Sequence, residues 1–249
     1  GYQEDATRTI LQNFMVGLKI TLPILIVAYG VGGFWEVVFA IVRKHEINEG
    51  FLVTGFLIPL IVPPTIPLWM VAVATSFGVV IGKEIFGGTG FNIFNPALVA
   101  RAFLFFAYPG AISGDSVWTV VDGVSKATPL AVAASGVNTS AIDLLVRSNF
   151  SWLDMFYGFI PGSIGETSTL AILIGAVILL VTRIASWRII TGVMIGMVGI
   201  ALLTNLLAAA SSNPMLALTP HYHLVMGGFA FGMVFMATDP VSAAQSNAG

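Results

Sequence analysis

The sequence predicts an all-α polytopic membrane protein with some broken spans. Three observations predict it. Of 249 residues, 9% are charged and 57% hydrophobic, and the mean hydropathy is +0.94, whereas soluble chains carry about 25% charged residues. The charges fall between apolar runs: 189–210 and 66–82 contain none, and 20–42 contains Glu36 alone. Glycine runs and two Asx-Pro steps interrupt or end apolar segments, which points to irregular backbone inside the bilayer or at its edge.

A predominantly apolar stretch of about 17–25 residues can cross a bilayer. Seven segments qualify or nearly do: 15–42, 50–62, 66–82, 93–109, 168–182, 189–210 and 224–238. The second is short and ends in Pro63-Pro64-Thr65-Ile66-Pro67, where the prolines remove donors and clash with the preceding turn. It is therefore expected to be a broken or tilted span. The last is short and glycine-rich. Lys and Arg in short loops favour the cytoplasm. Placing the Arg43-Lys44 loop inside puts Lys83, Arg101, Arg183 and Arg188 inside or near it, and Arg8, Lys126 and Arg147 outside. The stretch 110–167 is then an extracytoplasmic loop. Trp69, Tyr108, Trp152, Tyr157 and Trp187 fall near span ends, as an interfacial aromatic belt requires. The pairs Gly192/Gly196 and Gly228/Gly232 are spaced for close helix packing.

Several function classes are excluded. A net charge of −2 gives no basic face for nucleic acid. With no cysteine there is no disulfide, thiolate cluster or thiol nucleophile. His221 and His223 are too few for a metal site, and Asn138-Thr139-Ser140 reads as a chance sequon. No signal peptide is visible. A start at Gly1 and an end at Ser246-Asn247-Ala248-Gly249 predict a piece of a longer chain.

Function in a membrane chain is sought among polar groups that lipid disfavours. Gly30-Val31-Gly32-Gly33 opens a groove in a helix, and Glu36 follows about one turn later. A carboxylate at that depth must be paired, hydrated, ion-bound or protonated. In the second cluster, Gly87-Gly88-Thr89-Gly90-Phe91-Asn92-Ile93-Phe94-Asn95-Pro96, a helix is expected to start at Pro96 with Asn95 as its cap. The third cluster, Ala237-Thr238-Asp239-Pro240, repeats that step. Interrupted segments in corresponding positions suggest an inverted repeat about a central site. By physics alone the fourth, Asp122 to Thr128, is an exposed loop with hydroxyls.

Together these clusters resemble one family, the B subunits of the Na+-translocating NADH:quinone oxidoreductase. The resemblance is carried by GKEIFGGTGFNIFNPALVARAFLFFAYP (82–109), by Gly32-Gly33-Phe34-Trp35-Glu36, by Ser113-Gly114-Asp115 to Thr128, and by Met236-Ala237-Thr238-Asp239-Pro240. It runs along essentially the whole chain in order. The D subunit of the Rnf complex shares the glycine, Asn-Pro and Ala-Thr signatures but is less similar along 101–109.

The resemblance implies a urea-channel-like fold of two inverted helical halves, here truncated at both ends, in the bacterial inner (cytoplasmic) membrane. It implies covalent FMN, joined as a phosphoester to Thr128 of a D-x-x-[ST]-G-A-T motif that falls on Asp122, Ser125, Ala127 and Thr128. Lys126 stands where that motif has glycine. A flavin transferase would attach the FMN. Non-covalent riboflavin would lie against Asn92 and Asn95, ubiquinone at Gly32 and Gly33, and Na+ would be handled by Glu36 and Asp239. The A, C, D, E and F subunits would be partners. Electrons would pass from the C subunit through FMN and riboflavin to ubiquinone, coupled to Na+ export. Two alternatives stay open: an Rnf-type D subunit serving ferredoxin and NAD, and a passive urea-channel-like transporter.

Overall fold

The computed structural model describes residues 9–44, 46–113, 116–118, 127–136, 140–208, 211, 213–244 and 246. Every regular element among them is helical, and the protein is an all-α polytopic membrane protein. The chain divides into two compact units between residues 120 and 121.

In the first unit, α1 (Ile10–Arg43) begins on a capping box: Thr9 Oγ1 accepts from Gln12 N while the Gln12 side chain accepts from Thr9 N. It ends at Lys44 in the left-handed conformation, with Arg43 in its last turn. Its 34 residues measure about 51 Å, longer than a bilayer core, and Pro23 lies inside it. The helix α2 (Gly50–Leu60) has 11 residues and so reaches about 16 Å, too short to cross. Its Ile61 end meets Arg101, whose Nη1 donates to the Ile61 carbonyl at 2.8 Å. A cation inside the apolar region thereby satisfies a carbonyl orphaned where the span breaks.

The helix α3 (Leu68–Gly82) is followed by a 3-10 turn (Glu84–Phe86) and a loop in which Gly87, Gly88 and Gly90 have positive φ. Then Asn95 Oδ1 accepts from Ala97 N and Leu98 N, and Pro96 takes the first position of α4 (Pro96–Ala107). This is the start expected from Asn-Pro chemistry. Helices α3 and α4 approach closely at Gly78, where a Cβ would lie 2.6 Å from the Pro96 carbonyl oxygen and 2.8 Å from Ala100 Cβ. Phe77 and Phe103 stack at 4.5 Å. A short α5 (Pro109–Ile112) follows.

In the second unit, the stretch expected to be a connecting loop contains helices: α6 (Pro129–Ala134), α7 (Ala141–Arg147) and α8 (Trp152–Tyr157). Thr128 and Ser151 cap α6 and α8 through their hydroxyls. Ala133, Ala141, Leu145, Phe150 and Met155 pack with Leu218, Val225 and Met226 into a core of their own. The surface charges of this stretch conceal that apolar set in the sequence. Two apolar helices follow, α9 (Thr169–Val181) and α10 (Trp187–Leu207).

The expected span 224–238 is not continuous. The helix α11 (Pro220–Val225) stops before Met226, Gly227 takes φ +63°, and α12 (Phe229–Phe231) runs into a π turn over Gly232–Met236. A Cβ on Gly228 would run into the Glu166 carboxylate, so the break presses glycine backbone against an acid. Asn205 Nδ2 ties the end of α10 to the turn after it, donating to the carbonyls of Leu216 at 2.7 Å and Leu218 at 2.8 Å. Among the described residues, three helices are long and apolar enough to cross a membrane: Leu11–Arg43, Leu68–Phe86 and Trp187–Leu207.

Candidate functional site

The first unit gathers its buried charged side chains where α1 passes the end of α3. Glu36 is 4% exposed and Lys83 2%. The Lys83 ammonium donates to Glu36 Oε1 and, at 3.1 Å, to Thr89 Oγ1. It also lies 3.6 Å from Glu84 Oε1 and 5.8 Å from the centre of the Phe51 ring. Glu84, likewise buried, is held from the other side by Arg43: Nη1 donates to Oε2 at 3.1 Å and Nη2 to the Glu84 backbone carbonyl. Two carboxylates and two cations thus sum to zero in a place where an unpaired charge would be costly.

Sequence reasoning does not find the partner of Glu36. Lys83 lies 47 positions away, and in the sequence it serves only as a mark of orientation. The available signal is that both residues stand near the ends of neighbouring apolar segments.

One turn before Glu36, Gly32 is not an open groove. The Phe51 ring fills the space where its side chain would be, and a Cβ would also lie 3.3 Å from Thr75 Cγ2. Gly33 is looser, its Cβ position 4.0 Å from the same ring. The glycines therefore admit α2 against α1. The hollow in this part of α1 has a volume of about 410 Å³ and is lined by Gly30, Val31, Phe34 and Trp35 with Ala72 and Ser76 of α3. The Trp35 indole donates to Ser76 Oγ at 2.9 Å at its wall. The Thr75 hydroxyl is buried and has no hydrogen-bond partner among the described residues.

Asn92 and Asn95 are both buried in the turn before α4. Asn92 Nδ2 donates to the Phe94 carbonyl at 2.9 Å, and Asn95 spends its Oδ1 on the cap. A second hollow of about 620 Å³ runs between α3 and α4, walled by Phe77, Phe86, Phe94, Phe103 and Phe106.

Thr128, Ala127 and Asp239 belong to the second unit. Thr128 is half-buried, its Oγ1 accepting from Ala131 N at 3.2 Å, and Ala127 precedes it outside the helix. Asp122 and Ser125 lie outside the described residues. Asp239 accepts from Ser242 N at 3.4 Å and from Ser242 Oγ. The sequence predicts a helix starting at Pro240; the residues after it form a single turn instead.

A profile of the NQR2, RnfD, RnfE family matches residues 6–249. The chain belongs to this family. It is 59% identical over 241 residues to the B subunit of the Na(+)-translocating NADH-quinone reductase of Ectopseudomonas mendocina, covering 97% of this chain and 59% of that one. It is 60% identical over 239 residues to the protein of the same name from Klebsiella pneumoniae strain 342, covering 96% and 58%. For the Pseudomonas aeruginosa protein of that name the identity is 58% over 233 residues, covering 94% and 57%. The chain thus spans a little under three-fifths of the length of these relatives. In this chain the glycine pair, the two asparagines and Glu36 all fall in the first unit, whereas Thr128 and Asp239 fall in the second.

Proposed function

We propose that this chain serves in the membrane part of a redox-driven sodium pump, an NADH:quinone oxidoreductase of the bacterial inner membrane. Electrons would pass from FMN through riboflavin to ubiquinone, coupled to Na+ export. The observation that carries this reading is a charged, buried Glu36 set among apolar helices in a chain about three-fifths identical to relatives named for that pump. An intramembrane carboxylate marks an ion path by default.

Flavins supply the electron chemistry when bound, and the chain supplies placement and electrostatics. At Thr128, capping α6 uses a lone pair of the hydroxyl oxygen, which leaves the O–H as the point of esterification. At the turn before α4, local bonds use one end of each amide. The other ends, Asn92 Oδ1 and Asn95 Nδ2, are an acceptor and a donor suited to the edge of a riboflavin ring, beside the phenylalanine-walled hollow. For a quinone ring, the hollow at Gly30 and Trp35 is a better fit than the filled face of Gly32. Glu36 and Asp239 would handle Na+. The A, C, D, E and F subunits and a flavin transferase are the partners this reading requires.

Covalent flavin is the decisive test. The full complex, produced with its transferase, is expected to show a fluorescent band for this chain on a denaturing gel, and Thr128→Ala is expected to abolish it. A band that persists in Thr128→Ala overturns the attachment site. Quinone reduction by the assembled complex separates this reading from a ferredoxin-linked role of the Rnf type.

A further inference from the structure

The ammonium of Lys83 occupies the kind of cage that a hard cation would take. Around it stand Glu36 Oε1, Thr89 Oγ1 at 3.1 Å and Glu84 Oε1 at 3.6 Å, with the Phe51 ring on a further side. The polar neighbours are all oxygen atoms, the donor class that hard metal cations prefer. Thr89 is brought over the start of α2 because Gly50 lacks a side chain; a Cβ there would lie 2.7 Å from Thr89 Cγ2. The two carboxylates are not held alike. Glu84 is anchored by Arg43 at both its side chain and its carbonyl, so it keeps a cation of its own if the ammonium moves. Lys83 sits where α3 ends, ahead of a loop with three positive-φ glycines, and its ammonium rides on a flexible four-carbon stem.

We propose that Lys83 is a tethered internal cation at the Glu36 carboxylate: Na+ takes Glu36 only when the ammonium withdraws to Glu84 and Thr89, and the ammonium returns when Na+ leaves. This rests on Glu36 being an ion-handling carboxylate. The charge count follows directly. Without Na+ the four side chains are neutral, and Na+ at Glu36 makes the cluster +1 while the ammonium remains within it, at Glu36 or withdrawn to Glu84. Lys83 therefore weakens Na+ binding and keeps Glu36 from standing uncompensated between transport events. It is a positioning residue, acting through Glu36.

The test uses the whole complex with Lys83→Met, Lys83→Arg, Glu36→Gln and the double variant Glu36→Gln/Lys83→Met. NaCl is titrated against quinone reduction and, separately, against thermal stability of the purified complex. Lys83→Met is expected to lower the Na+ half-saturation on the order of tenfold, because a nearby like charge is gone. Lys83→Arg, whose planar fork grips carboxylates bidentately, is expected to raise it. The double variant removes both charges, so it is expected to assemble and to lose the Na+-dependent thermal shift. An assembled Lys83→Met with unchanged or higher half-saturation overturns the proposal. If Lys83→Met does not assemble, an unchanged half-saturation in Lys83→Arg overturns it and a rise supports it. Glu36→Gln with an unaltered Na+ response removes the ion reading of Glu36, and the Lys83 proposal falls with it. A response that depends on Glu36 but that both Lys83 variants leave untouched removes the Lys83 proposal alone.

Discussion

The helix α3, with the turn that extends it to Phe86, and the helix α10 are both long enough to cross a membrane, yet they are packed in opposite ways. The most apolar window of the first has a mean hydropathy of 1.5 and is 44% buried within the protein; that of α10 has 2.1 and is 6% buried. The more apolar helix is the less covered one. The reason is that lipid is as good a solvent for Leu and Ile as a protein interior, so apolarity alone draws no helix against another. Polar and small residues do. Ser76 receives the Trp35 indole, Lys83 pairs with Glu36, and Gly78 admits Pro96 and Ala100. In α10, neither Gly192 nor Gly196 has an atom within 4 Å of its would-be Cβ. The spacing that suggests helix packing there is left open among the described residues.

This contrast can be broken or sharpened at single positions. The largest effect is expected from Ile195→Lys, which puts a charge at an exposed point midway along α10. A lysine at the centre of a span costs about 2.5–3.5 kcal/mol of insertion free energy. A glycosylation-mapped insertion assay should report that loss; unchanged insertion would mean that α10 does not face lipid. Next comes a matched pair, Gly78→Val and Gly196→Val. Gly78→Val overpacks the α3–α4 contact and should cost about 1–3 kcal/mol, read as a lower melting temperature in detergent. Gly196→Val should stay within about 0.5 kcal/mol, unless α10 is covered by a partner that needs the glycine. Among the substitutions expected to destabilise, the smallest loss is expected from Asn205→Ala. It removes two hydrogen bonds at the end of α10 and should cost about 1–2 kcal/mol, visible as faster hydrogen exchange over 214–218.

Much of the secondary structure is legible in the sequence because its causes are local. Uncharged runs mark the long helices, and Asn95-Pro96 marks the start of α4 within one residue. The Asp239-Pro240 step shows the limit of that logic. Asp239 makes the capping bonds to Ser242, and the described residues that follow form a single turn, because a cap satisfies donors without guaranteeing a helix to supply them. The stretch 110–167 reads as a loop because α6, α7 and α8 have 6 or 7 residues each, too few to show a period. Their core is completed by residues from 218 onward.

The candidate site divides along the same line. That Glu36 needs an explanation follows from the sequence alone, since a carboxylate in an apolar run is costly wherever the helix lies. Which group answers that need was decided by tertiary structure. Helices that are apolar nearly all round carry little information about which face meets which neighbour. Nothing local to Glu36 points to Lys83, Thr89 or Phe51. Likewise the glycines at 30, 32 and 33 announce a special place on α1. Only the packing of α2 reveals that Gly32 is filled by Phe51 and that the hollow lies beside Gly30 and Trp35. Composition and capping act over a few residues and are written in the chain. Charge pairing and close approach act across space and exist only once the helices have met.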